Sequence, residues 1–288
     1  MDGLFEDARS DHRVLLASPI LWLDGGLLTP SSALLNRCAE TIIYRTLRAD
    51  NGNKFGTKFG AAFQDYVGLC LHQSKLLVIE EDILQRTLNV QNSSKCVDFL
   101  VQETGCNVLI EAKGAELSII GKLTHQSEPL LRSLKDTLVK AIIQGMTTMN
   151  RISATGGAVL RPNNYLVIVT YSPLYLGPAS ELPIILGPML LDAIERKIGG
   201  SLPMSLSDVF VFSAEELERS CAHIAAGELS FEHLFKTAKL ADANPRTSKY
   251  SINLHLDGIL LGKKRRLMPK SEEAYDSLIQ RAATALSF

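Results

Sequence analysis

Residues 95–114 read KCVDFLVQETGCNVLIEAKG, the pattern of a β-hairpin. An apolar run over 97–102 meets turn chemistry at Glu103-Thr104-Gly105, and a second run rich in Val, Leu and Ile covers 107–113. Side chains alternate along a strand, so Leu109, Glu111 and Lys113 point to one face while Val108, Ile110 and Ala112 point to the other. A carboxylate and an ammonium at the end of an apolar strand are costly to bury without partners. Asp98, on the first strand, joins them if the register brings it level. Two carboxylates are hard oxygen ligands that suit Mg2+, which keeps several waters and binds substrate phosphate directly. A metal held there polarises a phosphoryl oxygen, and a lysine beside it orients water or stabilises developing charge. Such a trio suits hydrolysis of a phosphodiester.

Working outward, residues 57–71 carry Phe59, Phe63, Tyr66, Val67 and Cys70 on one helical stripe, with Gln64 and Asp65 beside it. Before them, Leu34, Leu35, Cys38, Ile42, Ile43 and Leu47 recur at helical spacing behind a serine cap, in a helix expected to stop near Asp50-Asn51-Gly52. Residues 14–23 read as a strand or buried lead-in, and KLLVIE at 75–80 as a strand. After the hairpin, a loop over 115–129 leads to a helix at 133–149. Its apolar face is Leu134, Leu138, Ile142, Met146 and Met149, and Lys140 and Gln144 lie a turn apart on another face. YLVIVTY at 165–171 has the continuous apolar run of a central strand. A helix at 187–198, a strand at 208–213 and a helix at 214–225 follow, the last opened by a Ser213/Glu216 capping box.

Asp98 followed by Glu111-Ala112-Lys113, framed by this order of elements from Thr57 onward, resembles the PD-(D/E)XK nuclease superfamily. The resemblance implies an α/β fold of restriction-endonuclease type, a mixed central sheet flanked by helices, over residues 52–222. Residues 1–51 would be an N-terminal extension packing on that core, and 223–288 a C-terminal α/β extension. It further implies a Mg2+-dependent nuclease, with Mn2+ able to substitute. Asp98, Glu111 and the backbone carbonyl of Ala112 would hold the metal, and Lys113 would position the attacking water. Gln64 or Asp65 on the first core helix, and Lys140 and Gln144 on the helix after the hairpin, are the supporting candidates; the alternative for each is a solvated helix face. DNA is the expected substrate, and restriction or anti-phage defence the expected setting, with a partner protein or a homo-oligomer. The reading from another class is a non-catalytic nuclease-fold subunit that binds a partner protein or nucleic acid. A third is a different α/β hydrolase in which the spacing of Asp98 and Glu111 is coincidental.

Composition narrows the choices. With 46% hydrophobic and 21% charged residues the 288-residue chain is no disordered protein, and it can bury a substantial core. A formal net charge of −1 supplies no overall attraction for nucleic acid, so binding would need a local cationic groove. Five scattered cysteines without CxxC spacing argue against a disulfide scaffold or zinc site and fit a reducing cytoplasm. The acidic, polar first residues are no secretory signal, and the most apolar stretch, 182–194, is broken by Pro183, Gly187, Pro188 and Asp192, too short for a membrane span. There is no HExxH, GxSxG or phosphate-loop motif. Beyond residue 226 a helix is expected at 230–243, a strand or hairpin arm turning at Asp257-Gly258 over 250–261, and a helix at 272–286. Lys263, Lys264, Arg265 and Arg266 form the strongly basic cluster, suited either to phosphate contact or to a solvated face.

Overall fold

In the computed structural model the hairpin forms as expected and becomes the middle of an open, mixed, five-stranded sheet. The structure describes residues 21–23, 25–28, 32–89, 96–114, 134–155, 161–187, 189–263, 265 and 267. A short ribbon of β1 (Leu21–Leu23) and β2 (Gly26–Leu28) precedes α1 (Ser32–Gln73), two helices joined across a kink at Gly52. Then come β3 (Leu77–Glu80), α2 (Glu81–Thr87), β4 (Phe99–Gln102) and β5 (Cys106–Lys113). A π-helical turn (Lys135–Val139) leads into α3 (Lys140–Thr155), followed by β6 (Asn163–Thr170), α4 (Leu182–Leu186), α5 (Met189–Ile198) and β7 (Val209–Ser213). The last described helices are α6 (Ala214–Ala225), α7 (Phe231–Asp242) and α8 (Ile252–Leu260). The sheet order is β3-β4-β5-β6-β7. The first three strands form an antiparallel meander, while β5, β6 and β7 run parallel.

Register in the meander is fixed at Phe99↔Ile110 and Gln102↔Asn107. A chain of amides reinforces it: Gln102 donates to Asn107 Oδ1 at 3.1 Å, and Asn107 donates to Asn164 Oδ1 at 3.0 Å, crossing three strands. Asn107 is fully buried. A slip of one residue would both break these bonds and turn the apolar set to the wrong face.

Two hydrophobic layers cover the sheet. Helices α2 to α5 pack on the face that carries Leu100, Leu109 and Leu166. Helices α1, α6, α7 and α8 pack on the face that carries Val101, Val108, Ile110 and Val167. Residues 231–260 thus share one apolar cluster with the strands. Their attachment begins at the hairpin turn, where the Glu103 carboxylate accepts from the amides of Phe231 (2.9 Å) and Glu232 (3.0 Å) and so caps α7. The capping box holds as read: Ser213 Oγ accepts from the Glu216 amide, and Glu216 Oε2 accepts from the Ser213 amide. The other oxygen of Glu216 accepts from the Asn253 amide at 3.1 Å, tying α8 to α6.

One expected boundary holds and one expectation needs correction. The first helix stops at Gly52 as read: Gly52 stands at φ 49°, ψ −126°, and Ser32–Gln73 is two helices joined across a kink there. A positive φ comes without penalty only to glycine, so Gly52 ends the first helix and turns the chain into the second. The bend lays buried Tyr44 against Phe55, Phe59 and Tyr171, with ring centroids 5.5, 4.8 and 5.1 Å away. Residues 81–87, to which the sequence assigns no element, are helical. The strand or hairpin arm expected at 250–261 is helix α8, because Ile252, Leu256 and Leu260 recur every four residues and are all buried. That stripe outweighs Asp257-Gly258, and the helix ends instead at Leu261, in the left-handed region. Residues 14–20, the loop at 115–129 and the helix expected at 272–286 lie outside the described residues. Among those described, no helix is long and apolar enough to cross a membrane.

Candidate active site at the end of the hairpin

Extending the Phe99↔Ile110 register by one residue sets Asp98 level with Glu111, and alternation turns both toward the layer of α3. Asp98 is 9% exposed and Glu111 1% exposed. The Ala112 amide donates to Asp98 Oδ2 at 2.7 Å, a bond to the side chain just where the β4 ladder has ended. In an extended strand the N–H and C=O of one residue point to the same side, so the Ala112 carbonyl faces the side on which Asp98 lies. Lys113 Nζ pairs with Glu111 Oε1, and its side chain is 19% exposed. The second oxygen, Glu111 Oε2, is buried without a hydrogen-bond partner.

A buried carboxylate with an orphaned oxygen is costly unless it takes a proton or a cation. Burial, with the Asp98 charge next, pushes the Glu111 carboxyl up to about 8, against the opposing pull of Lys113. Glu81 adds to the upward push. It was not singled out from sequence; the signal was its place one residue past an apolar strand, where the pairing Glu80↔Phe99 brings it toward Asp98.

Of the supporting candidates, Gln144 is nearest the acids. Its side-chain amide donates to the Cys96 carbonyl, two residues before Asp98. Lys140, one turn earlier on α3, is exposed. Gln64 is half-buried and Asp65 exposed, and both belong to α1, which covers the opposite face of the sheet from the acids. Residues that sequence reasoning missed are Thr148 and Arg151, which join Gln144 in holding Cys96 and Val97.

The basic cluster stands elsewhere. Arg265 makes a bidentate pair with Glu228 at 2.8 and 2.9 Å, and Lys263 Nζ is 4.0 Å from the same carboxylate. Arg265 and His223 hold the Glu228 carboxyl down to about 2. Lys264 and Arg266 lie outside the described residues. Helix α6 starts at the end of β7 and runs back along the sheet, and Phe231 meets the hairpin turn. The Glu228 group therefore lies toward the hairpin-turn end of the strands, the end away from Lys113. It serves the fold by joining the chain after α8 to α6.

The donor set fits a hard divalent cation. Mg2+ retains waters and is bound through one or two carboxylates, which Asp98 and Glu111 supply, and the unpartnered Glu111 Oε2 is an acceptor in want of a cation. Among the described residues, no three His, Cys, Asp or Glu side chains form a ready metal cage, so water or substrate would complete any coordination. Below about pH 8 a cation bound here would have to displace the proton of Glu111. Apparent affinity for Mn2+ or Mg2+ should therefore rise about tenfold per pH unit toward 8 and level off above it. Calorimetric titrations between pH 6 and 9 check this; a flat profile removes Glu111 from the ligand set. Without metal the sign is reversed. The folded state keeps a proton that the unfolded chain has released, so this group's contribution to stability is whole below about 4.5 and is lost as pH rises through about 8.

No protein-family model matches the chain, and no curated protein matches its sequence.

Proposed function

We propose that the chain is a metal-dependent nuclease of PD-(D/E)XK type that hydrolyses phosphodiester bonds, with DNA as its substrate. The observation that carries the reading is the pairing of buried Asp98 and Glu111 on one face, with Lys113 on one oxygen of Glu111 and the other oxygen unpartnered. The order of elements supports it: a helix, an antiparallel three-stranded meander with the short helix α2 inserted after its first strand, a helix and a strand parallel to the third, which apart from α2 is the arrangement expected of that superfamily's core. Restriction or anti-phage defence, alongside a partner protein, is the setting that the resemblance adds.

Asp98 and Glu111 Oε2 would hold Mg2+ or Mn2+, with the Ala112 carbonyl as a further oxygen ligand. The cation, when bound, would polarise a phosphoryl oxygen and so ease attack of water on the phosphorus, with the P–O bond to the leaving sugar oxygen broken. The remaining work belongs to the chain. The Ala112 amide orients Asp98, Glu111 Oε1 keeps the Lys113 ammonium beside the acids, and partly exposed Lys113 reaches the solvent side, where it holds the attacking water or meets developing negative charge. The purified chain incubated with supercoiled plasmid should nick it in Mg2+ or Mn2+ and not in EDTA. Intact plasmid, single-stranded DNA and RNA under both metals, with and without a co-purifying partner, would overturn the proposal and leave the non-catalytic binding subunit.

A further inference from the structure

We infer that Thr148 is a positioning residue that sets the metal affinity of Asp98 through the backbone of Cys96 and Val97. The inference rests on the nuclease reading of Asp98 and Glu111. Asp98 lies just before β4, whose ladder starts at Phe99, so strand pairing does not hold the main chain that leads into it. Helix α3 holds it instead. Gln144, Thr148 and Arg151 share one face of that helix, at spacings of four and three residues. Gln144 Nε2 donates to the Cys96 carbonyl, the Val97 amide donates to Thr148 Oγ1 at 3.1 Å, and Arg151 Nη1 approaches Cys96 Sγ at 3.6 Å. The Thr148 hydroxyl in turn donates to the Gln144 carbonyl at 2.9 Å, so both its donor and its acceptor roles are filled.

Close approach of the helix makes this grip possible. A Cβ on Gly145 would fall 2.5 Å from Leu166 Cδ2, so glycine lets α3 sit this near β6 without pushing the buried Leu166 side chain aside. Asp98 is then fixed from two sides: its carboxylate by the Ala112 amide at 2.7 Å, its preceding peptide by Thr148. Thr148 is fully buried and cannot meet substrate, so any effect it has on the site passes through the backbone. Gln144 is only half-buried and would not separate the two roles. Groups that orient a metal ligand from behind are worth about 10- to 100-fold in affinity.

The test uses the full chain, with Mn2+ titrated by calorimetry and cleavage measured against Mg2+ concentration. Thr148→Val removes the acceptor for the Val97 amide and keeps the volume; it should weaken Mn2+ binding by about tenfold or more and raise the Mg2+ needed for half-maximal cleavage in parallel. Thr148→Ser restores the hydroxyl and should return both toward the parent. Thr148→Ala serves if the valine variant does not fold. Ile152→Val trims packing one turn further along the same helix and should lower Tm with metal affinity unchanged. A Thr148→Val protein that loses Tm like Ile152→Val but binds Mn2+ as the parent does would overturn the inference. Asp98→Asn separates it from the underlying reading. If Asp98→Asn abolishes Mn2+ binding and Thr148→Val leaves it untouched, only the positioning role fails; if Asp98→Asn binds Mn2+ normally, the metal reading itself fails.

Discussion

Glu111→Gln should reduce metal-dependent cleavage by about a thousandfold or more, on the scale of removing a preorganised electrostatic group from a reacting centre, and leave a folded protein. The two consequences come from the same atoms. Glu111 Oε2 is the unpartnered acceptor offered to a cation, and an amide in its place cannot carry the charge that holds one. The same oxygen makes the acid costly to ionise in the fold, its carboxyl standing at about 8 through burial and the Asp98 charge. Glutamine keeps the shape and never ionises, so the metal-free variant should melt higher than the parent at pH 9 and by a smaller margin at pH 6, where the unfolded parent has already released the proton that its folded state keeps. Lys113→Ala should lose cleavage to a similar degree, because it removes the ammonium that sits on Glu111 Oε1, while Mn2+ binding persists. Plasmid cleavage rates and thermal melts of the two variants at both pH values check the set. Cleavage by Glu111→Gln at the parental rate would exclude the acid from the chemistry.

The second large effect concerns stability. Phe235 is fully buried, and its ring centroid lies 4.4 Å from Phe210, 4.8 Å from Tyr165, 5.6 Å from Phe231 and 6.1 Å from Phe212. Phe235→Ala should cost about 3–5 kcal/mol, the range for emptying a buried aromatic site. Because the ring joins α7 to β6 and β7, and Glu103 and Glu216 tie α7 and α8 to the turn and to α6, residues 231–260 should unfold together with the sheet. Urea denaturation followed by far-ultraviolet circular dichroism and tyrosine fluorescence should give one coincident transition in parent and variant. An early, separate loss of helix with the sheet intact would contradict this.

The hairpin and the placement of its charges could be read from sequence because strand alternation is a local rule: Glu111 and Lys113 must share a face whatever else the chain does. The capping box at Ser213 and the central strand at 163–170 were legible for the same reason. What escaped depends on distant partners. The helix stop at Gly52 was legible, but not that Tyr44 stacks on Tyr171 beyond the kink. Asp257-Gly258 reads as a turn until the buried stripe of Ile252, Leu256 and Leu260 meets the sheet. Thr148 is an ordinary helix residue in sequence, and only the passage of residues 96 and 97 beneath α3 gives its hydroxyl a task. Asp65 shows the converse. Its place on an aromatic-striped helix made it a candidate, yet it is exposed on the layer that covers the other face of the sheet.

The proposed function requires that Asp98 and Glu111 together hold a divalent cation. Anomalous diffraction from crystals soaked in MnCl2 above pH 8 tests it most directly. A manganese peak bonded to Asp98 and to Glu111 Oε2, with Lys113 beside it, is the expected result. A well-ordered hairpin with no peak between these carboxylates, or a peak at another site alone, would contradict it.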